Sequence, residues 1–153
     1  MFKIRTKYRI LAGNMSNMNI EEPLVAYGIL GSSLDSNSEL IRVARGGVRT
    51  DMLWDFLSAI KSSKSEFEEF LPYSLKTFSR KKVLDEAMGE RVLMIIKAFR
   101  KGEEVFGDVA VFKKWLIKFN PILGDEPKNF LGTSTGCQLV INELGRIEHG
   151  VMS

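Results

Sequence analysis

The run GERVLMIIKAFRKGEEVFGDVAVFKKWLIKF, residues 89–119, decides the fold class. In its first part apolar residues recur at helical spacing, at Val92, Leu93, Ile96 and Phe99. The second part repeats that spacing with Phe112, Trp115, Leu116 and Phe119. Gly89 is expected to open the first helix, and Gly102 to mark its end or a bend. Asp108 is the expected N-cap of the second. The run therefore predicts two consecutive amphipathic helices.

Four more helices are predicted on the N-terminal side of this run. Two of them begin with the spacing of a capping box, Ser36 with Glu39 and Ser63 with Glu66. Gly46 and Pro72 are the expected stops of these two helices. Another is predicted over about 51–61, from the apolar face Leu53, Phe56, Leu57 and Ile60. Ser74 is the expected N-cap of the fourth, over about 75–84.

The residues after the run contain one more predicted helix. Pro121, Gly124 and Pro127 predict a loop, and a helix over about 135–144 follows it. Gly145 is its expected left-handed C-cap. We find no stretch after residue 36 that alternates apolar and polar residues, and the sequence therefore predicts an all-α fold. The first 35 residues have no clear period and are predicted to form a loosely structured arm.

Composition and charge exclude several classes of function. The net charge is only +3, and its excess lies in residues 1–50, which carry seven Lys/Arg and four Asp/Glu. Cys137 is the single cysteine, so neither an internal disulfide nor a cysteine metal site can form. With His149 as the single histidine, a histidine-rich metal site is also excluded. The longest apolar run, 92–96, is too short to span a membrane. We expect a cytoplasmic protein with no bound metal or cofactor.

Residues 63–82 have the pattern of a helix-turn-helix motif, whose second helix enters the major groove of DNA. If Leu75 and Phe78 face inward, Lys76 and Arg80 lie one turn apart on an exposed face. Arginine can bond two acceptors of guanine, and Lys, Ser and Thr commonly contact phosphates. The alternative is an ordinary solvated helix, which the periodicity by itself favours. The predicted DNA-binding residues are Lys76, Thr77, Ser79, Arg80, Lys81 and Lys82.

Five motifs of the C-terminal half resemble, in the same order, those of the Xre/MbcA/ParS antitoxin family. They are GERVL (89–93), EVFGD (104–108), FKKWL (112–116), NPILG (120–124) and ELGRIEHGV (143–151). The second and the last are the most specific. The resemblance covers roughly residues 38–153, and residues 71–80 resemble the turn and second helix of the family's helix-turn-helix. Pro72 departs from it, since many relatives carry glycine there.

This resemblance implies the antitoxin of a type II toxin–antitoxin system. Its partner would be a RES-domain toxin, which consumes NAD, and its C-terminal domain would cover the toxin's active site. The resemblance also implies that the helix-turn-helix domain dimerises and represses the operon of the pair. The expected domains are 36–87 for DNA binding and dimerisation and 88–153 for toxin binding. We expect no enzymatic activity. The alternative is a free-standing transcription regulator, which a neighbouring gene for a RES-type protein would argue against.

The resemblance further implies that a tail after Gly145 plugs the toxin's cofactor pocket. The predicted toxin-binding residues are Phe106, Arg146, Ile147, Glu148, His149, Gly150 and Val151. The alternative is that this tail packs on its own domain and that the surface between Phe106 and Trp115 blocks the toxin. Core packing is the expected role of Trp115. Acid–base catalysis by the charged residues of the tail is disfavoured, because it needs an oriented constellation of groups.

Overall fold

The computed structural model of the chain describes Leu34 and residues 36–69 and 74–150. These residues form seven α-helices, one 3-10 helix and a two-stranded sheet, and the all-α prediction is confirmed. The elements are α1 Asn37–Gly46, β1 Val48–Arg49, α2 Thr50–Ala59, α3 Lys64–Glu68, α4 Leu75–Ser79, β2 Val83–Leu84, α5 Glu86–Phe106, α6 Val109–Leu116, the 3-10 helix Pro127–Phe130 and α7 Ser134–Glu148. Most of the predicted arm, the predicted stop at Pro72 and the tail residue Val151 lie outside the described residues.

Four helices have a side-chain N-cap at the residue that the sequence predicts. The Ser63 hydroxyl accepts from the Glu66 amide at 3.1 Å, and the Asp108 carboxylate accepts from the Ala110 amide at 2.8 Å. Ser36 and Ser74 cap α1 and α4 in the same way. Each cap satisfies an amide that has no partner inside its helix. These four helix starts are therefore confirmed.

The long helix α5 differs from its prediction at both ends. It begins after Asp85, whose carboxylate accepts from the Met88 amide at 2.9 Å, and not at Gly89. It also continues through Gly102 to Gly107, which has φ 76° and ends it in the left-handed conformation. The absence of a side chain at Gly102 serves packing instead, because a Cβ there would lie 2.2 Å from the ring of Phe112.

The last helix also runs further than predicted. α7 continues to Glu148, and Gly145 lies inside it without the positive φ of a left-handed cap. The prediction that Gly145 ends the helix is therefore wrong. Ion pairs on both sides of Gly145 hold the final turn, since Arg146 pairs with Glu143 and Glu148 pairs with Lys101.

The helix that follows Ser74 is shorter than the predicted 75–84. α4 ends at Ser79, and Val83 and Leu84 form β2, which pairs antiparallel with β1. The register places Leu84 opposite Val48 and Val83 opposite Arg49. A strand of two residues is too short to show an alternating pattern, and β2 was therefore not predictable from the sequence.

One buried cluster of apolar side chains joins both halves of the chain. α5 packs against α1, α6 and α7. A row of phenylalanine rings, which includes Phe99 of α5, crosses the core. Phe99 contacts Phe56 and Phe112 edge to face, with ring centroids 5.5 and 5.0 Å apart. The predicted domain boundary at residue 87 lies within α5, whose buried residues belong to this cluster. In the described part of the chain, no helix combines the length and the apolar character needed to cross a membrane.

Candidate functional site

The six predicted DNA-binding residues lie in two elements instead of one. Leu75 and Phe78 are buried as predicted, so that Lys76 and Thr77 lie on the exposed side of α4. The Ser79 hydroxyl donates to the carbonyl of Leu75 at 2.9 Å, back onto its own helix. The other three lie beyond the helix, in the segment 80–82 that leads into β2, which we call the basic turn. All six are exposed.

The backbone of the basic turn is held by one buried threonine. The Thr50 amide donates to the carbonyl of Lys82 at 3.0 Å, and its hydroxyl donates to the carbonyl of Lys81 at 2.5 Å. Thr50 is only 5% exposed, so water competes little for these bonds. The turn therefore presents its cationic side chains from a fixed backbone.

The charges of this surface are only partly neutralised. Lys81 pairs with Asp85 at 3.0 Å, and both side chains are well exposed, which makes such a pair weak. Within the described part of the chain, Lys76, Arg80 and Lys82 take part in no ion pair. These three cations remain available to an anionic ligand such as a DNA phosphate.

A groove of about 350 Å³ separates the basic turn from the start of α2. Ser79, Lys81 and Lys82 line one part of it, and Arg49, Thr50, Asp51 and Trp54 line the remainder. The ammonium of Lys64 lies 4.4 Å from the centre of the Trp54 ring, a cation–π contact at the edge of this region. Arg49, Trp54 and Lys64 were not predicted from the sequence, because the pairing of β1 with β2 brings distant residues together here.

The predicted toxin-binding residue Arg146 lies on the body of α7 and not on a free tail. Its Nε and Nη2 atoms donate to the two carboxylate oxygens of Glu143, both at 2.9 Å. Glu143 is buried and also accepts from the side-chain amide of Asn120 at 3.2 Å. The hydrogen bond from Arg146 holds the pKa of the Glu143 carboxyl below its usual value, and Asn120 acts in the same direction.

The next residues of α7 are fixed in a similar way. The Glu148 carboxylate accepts a short hydrogen bond from the ammonium of Lys101, which lowers the pKa of Glu148 and raises that of Lys101. Ile147 is half-buried, whereas His149 and Gly150 are exposed beyond the end of the helix. Among the described residues of the predicted plug, His149 and Gly150 are therefore the two that lie beyond the helix.

Phe106 lies at the last position of α5, in an aromatic cluster. Its ring centroid is 6.3 Å from that of Phe112 and 5.8 Å from that of Trp115. Phe106 and Trp115 are both partly buried against the core. Trp115 thus packs against the core as expected, and Phe106 does so as well.

The loop after α6 carries exposed apolar residues on a rigid frame. α6 ends at Leu116, so Phe119 leaves the predicted helical stripe and is 64% exposed, and Ile122 is 62% exposed. Between them lies buried Asn120, whose side-chain oxygen accepts from the amides of Ile122 and Leu123 at 2.8 and 3.0 Å. Sequence reasoning missed these exposed side chains, because helical spacing assigned Phe119 to the core.

Comparison with known families gives one match. Residues 101–150 match the family model described as the antitoxin Xre/MbcA/ParS C-terminal toxin-binding domain. The match confirms the resemblance for this third of the chain and implies a toxin as partner. A search of curated proteins finds no match to the chain.

Proposed function

We propose that the chain is an antitoxin whose partner toxin is of the RES type, which consumes NAD. Residues 101–150 match the C-terminal toxin-binding domain of Xre/MbcA/ParS antitoxins. The chain would block the active site of that toxin and repress its own operon by binding operator DNA, and it would act in the cytoplasm. The match to the toxin-binding domain supports the toxin-binding part of this proposal. The exposed cations of α4 and the basic turn support the DNA-binding part.

The blocking element is proposed to be the end of α7. The pairs of Arg146 with Glu143 and of Glu148 with Lys101 fix the final turn of the helix. They leave His149 and Gly150 exposed at its tip. A rigid helix end loses little conformational freedom on entering a pocket, which favours tight binding. Its imidazole and the terminal carbonyl groups of the helix can hydrogen-bond in a site built for a polar cofactor.

Deleting residues 149–153 tests this assignment. The deletion leaves both ion pairs of the last turn in place, whereas a cut at 146 would remove them. We expect the shortened chain to fold and to bind DNA normally, but to lose inhibition of NAD consumption by its cognate RES-type toxin. Gln138→Ala, a change on an earlier turn of α7, serves as the control. Full inhibition by the shortened chain would show that another surface blocks the toxin.

The DNA-binding surface is proposed to consist of α4 and the basic turn. We expect Arg80→Ala to weaken operator binding by about 1–3 kcal/mol if Arg80 contacts a base, with a steep dependence on salt. Lys76→Ala should weaken binding to all sequences, since a phosphate contact carries no sequence information. Lys118→Ala removes an exposed charge outside this surface and is the control. Unchanged operator affinity in both test variants would show that DNA binds elsewhere.

The helix-turn-helix domain, residues 36–87, is also proposed to dimerise. Proteins of this class commonly read two half-sites with two-fold symmetry, which a dimer supplies. Light scattering at micromolar concentration should therefore give a mass near twice that of the chain. A monomeric mass in the presence of operator DNA would contradict the proposal.

A further inference from the structure

A groove of about 420 Å³ lies where the segment joining α2 to α3 meets α6. Its apolar lining consists of Ile60, Val109, Ala110 and Ile117. Ile117 is 60% exposed, although isoleucine is among the residues most often buried. A large apolar side chain at the edge of an apolar groove is the kind of surface that a protein partner covers.

Lys113 fixes the shape of this groove. Its ammonium donates to the carbonyls of Ile60 and Lys61 at 3.4 and 3.3 Å and pairs with Glu66 at 3.2 Å. One side chain of α6 thus holds the end of α2 and the start of α3. The groove is therefore a preformed surface with one wall inside the matched residues 101–150 and the other outside them.

The rim of the groove keeps an excess of positive charge. Three lysines, Lys61, Lys113 and Lys114, line it together with Glu66 and Asp108. Lys113 is neutralised by Glu66, and the Asp108 carboxylate accepts from the Ala110 amide as the cap of α6. Lys61 and Lys114 form no ion pair with any residue that the structure describes. Charge complementarity therefore favours an acidic partner segment.

We propose that this groove anchors the partner toxin, through an apolar side chain of the toxin flanked by acidic residues. The inference rests on the proposed antitoxin function and adds contacts to it at Ile60 and Lys61, outside the matched domain. Two observations favour the toxin as the occupant. The α6 wall belongs to the domain that binds a toxin, and the unpaired lysines select an acidic surface, which a second copy of this basic rim would not offer.

A titration of the toxin with the chain can distinguish binding contacts in the groove from insertion of the end of α7 into the active site. A variant that lacks the groove contacts binds the toxin with lower affinity. At saturating concentration, the end of its α7 still enters the active site and inhibits the toxin fully. Loss of the plug lowers the maximal inhibition instead. The two kinds of variant therefore give different inhibition curves against the same RES protein.

The test uses Ile117→Asp in the full chain, titrated against its cognate RES-type toxin. We expect the Kd to rise at least tenfold, with unchanged helix content, unchanged operator affinity and full inhibition at saturation. Lys114→Glu should weaken binding and Lys114→Arg should not. Val83→Asp is the matched control, because Val83 is 52% exposed on β2 and lies outside the groove.

Each outcome decides between the two proposals. If the unaltered chain does not bind the RES protein, the proposed function fails. If it binds and Ile117→Asp binds equally well, the anchor is overturned and the antitoxin function stands. If Ile117→Asp alters only the self-association of the chain, the groove is a contact between copies, and the anchor is again overturned.

Discussion

Two glycines in neighbouring helices have opposite surroundings. A Cβ at Gly102 would lie 2.2 Å from the Phe112 ring, whereas a Cβ at Gly145 would meet nothing within 4 Å. We expect Gly102→Ala to lower the free energy of unfolding by about 1–3 kcal/mol, because the buried ring has little room to move. Gly145→Ala should raise it by about 0.5–1 kcal/mol, as alanine favours a helix interior. Urea denaturation measures both, and destabilisation by Gly145→Ala would mean that α7 ends earlier.

The Glu143 carboxylate gives the fold a specific sensitivity to acid. Its folded pKa is lowered by the hydrogen bonds from Arg146 and Asn120. A carboxyl of this kind stabilises the fold above its unfolded pKa of about 4.3, and the contribution is lost as the pH falls through the lower folded pKa. We expect the stability advantage over Glu143→Gln to shrink as the pH falls below about 4.3. Urea midpoints between neutral and acid pH check this, and parallel curves for the two proteins would contradict it.

At the scale of the element, four helix starts were predicted correctly, whereas the start of α5 and the ends of α4, α5 and α7 were not. A start such as Ser63 or Asp108 carries its signal in the next three residues, since the cap bonds within one turn. The end of α7 depends on Lys101, which lies 47 residues away from Glu148 in the sequence. β2 likewise depends on its pairing with Val48. The groove beside the basic turn was missed for the same reason, because no local pattern relates Trp54 to Lys82.

The pairing of β1 with β2 leads to a prediction about DNA binding. Thr50 ties the start of α2 to the basic turn through the bond from its hydroxyl to the carbonyl of Lys81. We expect Thr50→Val to destabilise the chain by about 0.5–1.5 kcal/mol, because it removes a part-buried hydrogen bond to the carbonyl of Lys81. Operator affinity should fall as well, since the turn loses its fixed backbone.

Thr50→Ser is the matched control, because it keeps the hydroxyl and should restore most of both properties. Chemical denaturation and operator titration give the two readouts. Full operator affinity in a folded Thr50→Val chain would show that the turn does not need this bond to present its lysines.

At the scale of the whole molecule, phenylalanine rings from both halves of the chain meet in one core. The chain holds two tryptophans, Trp54 on α2 and Trp115 on α6. We expect the single-tryptophan variants Trp54→Phe and Trp115→Phe to unfold each in one transition, with fluorescence and circular dichroism coinciding. Phe99→Ala should lower stability by about 3–5 kcal/mol in either background. Two separated transitions would show that the halves unfold independently.

Cys137 has a practical consequence for experiments on this chain. Its thiol lies in the core within 3.4 Å of the Leu131 carbonyl, and burial raises its pKa to about 12. Since the thiolate is the reactive form, maleimide reagents will spare this residue while the chain is folded. A fluorophore can therefore be attached to a cysteine introduced on the surface without removing the native one. The rate at which Cys137 itself is alkylated then reports how often the core opens.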